Sequence, residues 1–222
     1  MTTANANSYR LAVLLSGGGS TLANFIEYIA VGKLDARIEV VVSSRAGARG
    51  VEIAREAGIS AHVVSRKKYA DEKEFSLAVD AVLGQYEFDL ICFAGFMSRY
   101  FAADKYFGKI INVHPALIPM FCGKGYYGHH VHEAVLNRGV QVTGCTVHYI
   151  DDEYDHGPII AQRAVPVLED DTPDSLAARV QAEERRLYPQ VVQWFAEGRV
   201  SVEHGKVRVT GRTRDDLICS SE

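Results

Sequence analysis

No apolar stretch in this 222-residue chain approaches the roughly 20 residues of a membrane span. The first eight residues, Met1 to Ser8, are polar and hold no apolar core of the sort that a secretory signal needs. Cysteine is sparse. Cys92, Cys122, Cys145 and Cys219 lie far apart with no Cys-x-x-Cys pair, which argues against a zinc knuckle and a thioredoxin-like motif. Positive charge is also scarce: 24 Lys and Arg stand against 28 Asp and Glu, a net charge of −4. A protein that grips nucleic acid must neutralise many phosphates. The longest basic run here, Arg66-Lys67-Lys68, reads as the solvated start of a helix. His129, His130 and His132 crowd together, but no His-x-x-x-His pair sits on a clear helix and no Cys stands at ligand spacing, so no metal is expected. These absences leave a soluble protein of a reducing cytoplasm, with no nucleic-acid or membrane partner.

What the chain does have is apolar mass, at 47% of residues, enough for one sizeable core. Leu11-Ala12-Val13-Leu14-Leu15 is a continuous apolar run, the mark of a strand buried on both faces. It ends at Ser16-Gly17-Gly18-Gly19-Ser20, and Leu22, Phe25, Ile26 and Ile29 then recur at helical spacing. Strands are expected at Ile38 to Val42, Ala61 to Val64 and Leu90 to Ala94. Helices are expected at Gly47 to Ala57, closed by Gly58, and at Tyr69 to Leu83, stopped by Gly84. Strand and helix alternating at this spacing predict a parallel sheet with right-handed crossovers, whose ligands lie at the carboxyl ends of the strands. The loops after Leu15, Ala94 and Val113 are therefore expected to face one crevice.

The second half reads differently. Ile110 to Val113 is a strand running into His114-Pro115, and a loop rich in glycine and aromatics follows from Pro119 to Gly128. His132 to Leu136 looks helical. Val142 to Ile150 and Ile159 to Val167 read as strands joined by an acidic loop. Thr172 can cap a long helix with Pro173 at its first position, and Pro189 is expected to kink or divide that helix. Val200 to Val202 and Val207 to Val209 flank Glu203-His204-Gly205-Lys206, a hairpin signal.

Three segments carry candidate chemistry. The Gly17-Gly18-Gly19-Ser20-Thr21 loop lies between a buried strand and a helix. Glycines bring backbone N–H groups close to an anion, and the helix N-terminus and two hydroxyls add to the attraction. A tight turn with Ser20 as N-cap would need fewer glycines. No Lys follows them, so this is no Walker loop, and the second strand ends in Val42-Ser43-Ser44 rather than in an acid for a ribose diol. A lone monophosphate fits better than a dinucleotide. In the second segment, Asn112 and His114 stand two apart on a strand and so point the same way. An amide and an imidazole together can polarise a carbonyl and stabilise an oxyanion, although a histidine at a strand end is often structural. The third is Asp151-Asp152-Glu153-Tyr154-Asp155-His156-Gly157-Pro158. A solvated turn explains most of its acids, but Gly157-Pro158 can hold Asp155 rigidly, and a carboxylate beside His114 would favour the protonated ring.

In order, Ser16 to Leu22, Ala94-Gly95-Phe96-Met97, Asn112-Val113-His114-Pro115-Ala116-Leu117-Ile118-Pro119 and Asp151-x-x-x-Asp155-x-Gly157-Pro158 resemble phosphoribosylglycinamide formyltransferase, from roughly Arg10 to Val202. The resemblance implies an α/β, Rossmann-like formyltransferase domain with a mostly parallel twisted sheet and helices on both faces. It would span 9–210, with a phosphate-binding half at 9–110, a folate and catalytic half at 111–210, and tails at 1–8 and 211–222. It implies that formyl passes from 10-formyltetrahydrofolate to the primary amine of glycinamide ribonucleotide, without metal, in a monomer or homodimer. Asn112 and protonated His114 would hold the oxyanion, and Asp155 would support the ring and move the amine's proton. Gly19, Ser20 and Thr21 would take the phosphate, and Gln181 and Glu184 would lie at the amine end. Folate would meet Met97, Ser98, Arg99, Tyr100 and Asn112 and the loop of Asp151, Asp152, Glu153, Tyr154 and Asp155. Left to its own neighbours, Glu184 reads as part of a solvated charged face, Glu183-Glu184-Arg185-Arg186.

The chain departs from the family at a few places. Thr21 stands where Asn is usual, Ser98 precedes Arg99, another frequent Arg is replaced near Glu72-Lys73, and the stretch Cys122 to Gly128 is long. Methionyl-tRNA formyltransferase, formyltetrahydrofolate hydrolase and a non-catalytic phosphate- or nucleotide-binding module are the rival readings. The first carries an additional C-terminal domain and basic surface, and the second an N-terminal regulatory domain. Neither expectation suits an acidic 222-residue chain with about eight residues before its first strand.

Overall fold

The computed structural model describes residues 8–101 and 104–213. The expected tails at 1–8 and 211–222 lie outside the described residues except for Ser8 and 211–213. The chain divides into two compact units, Met1–Ile111 and Asn112–Glu222.

The first unit is built as the alternating pattern predicts. Strand β1 (Tyr9–Leu15) is followed by helix α1 (Ser20–Ala30), β2 (Ala36–Ser43), α2 (Arg49–Glu56), β3 (Ser60–Val63), α3 (Glu72–Leu83) and β4 (Leu90–Phe93). The strands lie in the order β3-β2-β1-β4, and their mutual pairings are parallel. β1 is the inner strand, and Leu11 to Leu15 have no exposed surface, which is why they read as an unbroken apolar run. On α1, Leu22 and Phe25 are fully buried, while Ile26 and Ile29 are half-buried. Gly58 closes α2 with φ near 73°. α3 starts three residues later than expected, because the carboxylate of Asp71 accepts from the N–H groups of Lys73 (2.8 Å) and Glu74 (2.9 Å) and fixes the first turn there. Arg66–Lys68 form a separate 3-10 turn ahead of it.

β5 (Ile110–His114) passes from the first unit into the second, where the order continues β5-β6-β7. The second unit contains α4 (His129–Arg138), β6 (Val142–Tyr149), β7 (Ile159–Pro166), α5 (Pro173–Ala196) and the hairpin β8 (Val200–Glu203) and β9 (Lys206–Val209). β6 and β7 are antiparallel, so the sheet as a whole is mostly parallel, in an α/β, Rossmann-like arrangement. The hairpin turns through His204 (φ 51°) and Gly205 (φ 74°), a pair of left-handed residues suited to a two-residue loop. The expected helix at His132 to Leu136 is longer at both ends.

Thr172 caps α5 in a reciprocal arrangement with Ser175, and Pro173 follows at the first helical position. The expected division at Pro189 does not occur, since α5 is helical through to Ala196. Proline removes one helical N–H, but Leu187, Tyr188, Val191, Val192 and Trp194 are all buried on either side of it. That continuous apolar face outweighs a single lost hydrogen bond.

Two glycines in this unit are set by close backbone approach. A Cβ on Gly144 of β6 would lie 1.9 Å from the Arg163 carbonyl oxygen, and one on Gly157 would lie 2.0 Å from that of Tyr149. Gly144→Ala is expected to cost about 2–4 kcal/mol and lower the melting temperature by about 5–12 °C. Gly47→Ala, where the added Cβ meets nothing within 4 Å, is the control and should shift stability by less than about 1 kcal/mol. Thermal melts of the two variants beside the parent protein check both figures.

Candidate active site

In the first unit the glycine loop is made by backbone rather than side-chain contacts. Gly19 sits at the N-cap of α1 in the left-handed region (φ 75°), and no side chain caps the helix. Ser20, expected as a possible cap, is instead the first residue of α1 and is exposed. A Cβ on Gly19 would meet Gly50 Cα at 2.5 Å, and the Gly50 N–H donates to the Gly17 carbonyl (3.1 Å). Gly19 is thus excluded from substitution twice over, by its dihedral and by contact. Gly17 and Gly18 are different: they are exposed, and a Cβ on either would point into open space. The first N–H groups of a helix lack intrahelical partners and attract anions. Behind the loop, the Ser16 and Ser44 hydroxyls are 2.6 Å apart and buried, the Met97 N–H donates to Ser16 Oγ (2.8 Å), and the Ser16 N–H donates to the Gly95 carbonyl (3.1 Å). The glycine turn is therefore anchored to the loop that follows β4.

The rest of that following loop faces two ways. Met97 is exposed, and Ser98 and Arg99 are half-buried. Arg99 lies over the Phe101 ring and 4.0 Å from the Glu72 carboxylate. Tyr100 is turned into the core with its hydroxyl bonded to Asp80, and burial pushes that phenol well above its usual range.

In the second unit, the end of β5 brings together the residues singled out from the sequence. His114 is buried, with acceptor oxygens at both ring nitrogens: Nε2 is 2.8 Å from the Phe121 carbonyl and Nδ1 is 3.5 Å from Asp155 Oδ2. Asp155 has a positive φ of 55° and is held between elements. Its Oδ2 accepts from the Gly123 N–H (2.9 Å), and its Oδ1 lies 3.7 Å from His148 Nε2. The Asn112 amide nitrogen is 3.3 Å from the same His148 nitrogen. Asn112, His114 and Asp155 thus belong to one linked cluster. The first turn after β5 is braced by Thr146, whose hydroxyl donates to the Ala116 carbonyl (2.7 Å) and accepts from the Ile118 N–H (3.1 Å).

His148 and the backbone of Phe121 and Gly123 are parts of this cluster that the sequence reading did not select. His148 had a signal: it is a histidine near the end of an expected strand that runs into the acidic loop. The Phe121 carbonyl had none, because a backbone group carries no residue-type signature.

Of the acidic loop, Asp152, Glu153 and Tyr154 are exposed. Asp151 organises it by accepting from the Glu153 N–H (3.0 Å) and pairing with His156 Nδ1 (2.8 Å), which raises the His156 pKa. On α5, Gln181 is exposed, and the two neighbouring acids part company. Glu183 is buried and paired with Arg163 (3.1 Å) and Arg186 (3.2 Å). Glu184 keeps some exposed surface as a residue, but its carboxyl is enclosed, and burial pushes its pKa up to about 7. It is not part of a solvated face. Nearby, burial and the two glutamates push the Cys145 thiol upward. Among the described residues, no group of three or more His, Cys, Asp or Glu is arranged to hold a metal ion.

Residues 9–192 match the family described as formyl transferase, and the chain belongs to that family. Its relatives of matching length are more specific. It is 34% identical to the phosphoribosylglycinamide formyltransferase of Escherichia coli, over 91% of this chain and 94% of that one. The crystal structure of glycinamide ribonucleotide transformylase 1 from Symbiobacterium toebii superposes with a TM-score of 0.84 at 39% identity, covering 92% of this chain and 95% of that one. Identity reaches 43% with the trifunctional purine biosynthetic protein adenosine-3 of Gallus gallus, over 90% of this chain. The chain spans only about a fifth (20%) of that trifunctional relative.

The Glu184 environment has a measurable consequence. Its carboxyl binds its proton more tightly folded (about 7) than unfolded (4.5), so the folded state holds more protons between those values. Stability from this group is therefore full below about pH 4.5 and is lost as pH rises to about 7. Glu184→Gln removes that slope. The variant should gain up to about 3 kcal/mol on the parent between pH 4.5 and 8, read from denaturant melts across that range. Parallel pH profiles for the two proteins would refute the assignment.

Proposed function

We propose that the protein transfers the formyl group of 10-formyltetrahydrofolate to the primary amine of glycinamide ribonucleotide, a step of purine synthesis, in the cytoplasm. The observation that carries this reading is the His114 ring held between two acceptors, with Asp155 on one side and linked through His148 to Asn112. A ring facing acceptors at both nitrogens is best satisfied when both carry hydrogen, and an imidazolium is the stronger electrophile toward a formyl oxygen.

The amine lone pair attacks the formyl carbon, and the C=O electrons move onto oxygen. Asn112 Nδ2–H and His114 N–H donate to that oxyanion. The Nε2 proton is at present given to the Phe121 carbonyl, and the formyl oxygen replaces that acceptor when substrate binds. Asp155 receives the amine's proton through water and passes it toward N10. The carbon–N10 bond then breaks, releasing tetrahydrofolate and the formylated amide. Gly19, Ser20 and Thr21 take the substrate phosphate at the start of α1, where Gly17 and Gly18 leave the approach open. Glu184, with Gln181 one turn before it, meets the amine end. Met97, Ser98, Arg99 and the loop of Asp151 to Asp155 serve the folate. The partners are small molecules. No helix among the described residues is long and apolar enough to cross a membrane.

The test is a spectrophotometric assay with glycinamide ribonucleotide and 10-formyltetrahydrofolate. Transfer is expected in the parent protein, with kcat lower by about 10²–10⁴-fold in His114→Ala and about 10²-fold in Asp155→Asn. Undiminished transfer in His114→Ala would overturn the mechanism. Formate release without the amine would replace the transferase by a hydrolase, and the absence of both reactions would leave a binding module.

A further inference from the structure

His148 has no exposed surface and lies at the carboxyl end of β6, yet it is no residue of the proposed chemistry. Its two nitrogens are not equivalent. Nδ1 is 2.8 Å from the carbonyl oxygen of Tyr149, an atom that can only accept, so Nδ1 carries a hydrogen. Nε2 faces the Asn112 amide nitrogen at 3.3 Å and Asp155 Oδ1 at 3.7 Å. Burial lowers the His148 pKa despite the nearby carboxylate, which keeps the ring neutral near pH 7. A neutral ring with hydrogen on Nδ1 has a lone pair on Nε2 and can only accept there.

We infer that His148 is a positioning residue that fixes which way the Asn112 amide faces, by presenting a bare Nε2 that accepts one of its two N–H hydrogens. Turned the other way, the Asn112 carbonyl would meet that lone pair, two acceptors face to face. Held this way, the second Nδ2–H is left free and aimed. A relay therefore runs from the Tyr149 carbonyl through His148 to Asn112, and its last hydrogen is the one that the proposed reaction gives to the oxyanion. The inference rests on that reaction for its consequence, but the orientation of the ring and amide is independent of it. Asp155 then faces two different imidazoles: His114, whose Nδ1 is turned to it as a donor, and His148, which keeps its lone pair for the amide.

Two substitutions separate this role from a structural latch. Glutamine places an acceptor near the Nε2 position and loses the Nδ1 hydrogen. Asparagine keeps a donor near Nδ1 and loses the Nε2 acceptor. If His148 orients Asn112, His148→Gln should keep kcat within about fivefold, whereas His148→Asn and His148→Phe should lose about 10²-fold in kcat with KM for both substrates within about threefold. A kcat ratio of Gln to Asn variants above about ten supports the inference, and a smaller ratio, or an Asn variant better than the Gln variant, overturns it. Nitrogen NMR of the parent protein labelled with ¹⁵N-histidine supplies a readout without turnover. His148 should be neutral with its hydrogen on Nδ1, and an imidazolium or an Nε2–H ring would overturn the inference. If the parent protein transfers no formyl group, the proposed function fails, and the NMR result still decides the state of His148.

Discussion

Asp155 holds together the cluster at the end of β5 in the second unit. Its carboxylate is nearly enclosed, and an enclosed anion is tolerated only where donors surround it. Here the donors serve one oxygen, which takes the Gly123 N–H and faces His114 Nδ1, while the other lies 3.7 Å from His148 Nε2, beyond hydrogen-bond reach. The loop after β5 and the loop after β6 are therefore tied through a single side chain. That is why the backbone accepts a left-handed dihedral at Asp155, and why Gly157, two residues on, must let the chain pass within contact of Tyr149. The carboxylate sets the ring of His114, and the Tyr149 carbonyl sets the ring of His148. Two histidines a short distance from one acid are thereby oriented by different partners.

The α5 helix shows the same separation by environment. Glu183 and Glu184 are chemically identical and adjacent in sequence. Glu183 turns toward Arg163 and Arg186 and is compensated there, whereas burial pushes the Glu184 carboxyl up toward neutrality. A fold that spends stability on an enclosed acid keeps a proton-sensitive group near neutrality.

Much of this was legible in the sequence, for identifiable reasons. The parallel sheet of the first unit follows from apolar runs such as Leu11 to Leu15, because a strand covered on both faces has no polar side to show. The α5 start was legible because Thr172 and Pro173 carry their roles locally. Asn112 and His114 could be placed together from strand alternation alone. The expectations that moved were those decided by tertiary contacts. Asp71 set the start of α3, buried side chains carried α5 through Pro189, and Glu184 left its charged-face neighbours for an enclosed site. The Phe121 carbonyl and Gly123 N–H lay beyond any residue pattern, since every residue type supplies those groups.

The contact of Gly19 with Gly50 carries an implication for how this loop can change. Both positions are closed to side chains, one by its dihedral and contact and the other by the Leu15 side chain at 2.5 Å. The turn's shape is therefore inherited as a rigid pair from two distant parts of the sequence, and neither can drift without the other. The Gly17 carbonyl shares in that coupling through the Gly50 N–H, but a Cβ at Gly17 or Gly18 would point into open space, and Ser20 and Thr21 keep exposed surface. Variation in what the loop accepts, whether arising by descent or by design, has only those four positions through which to act.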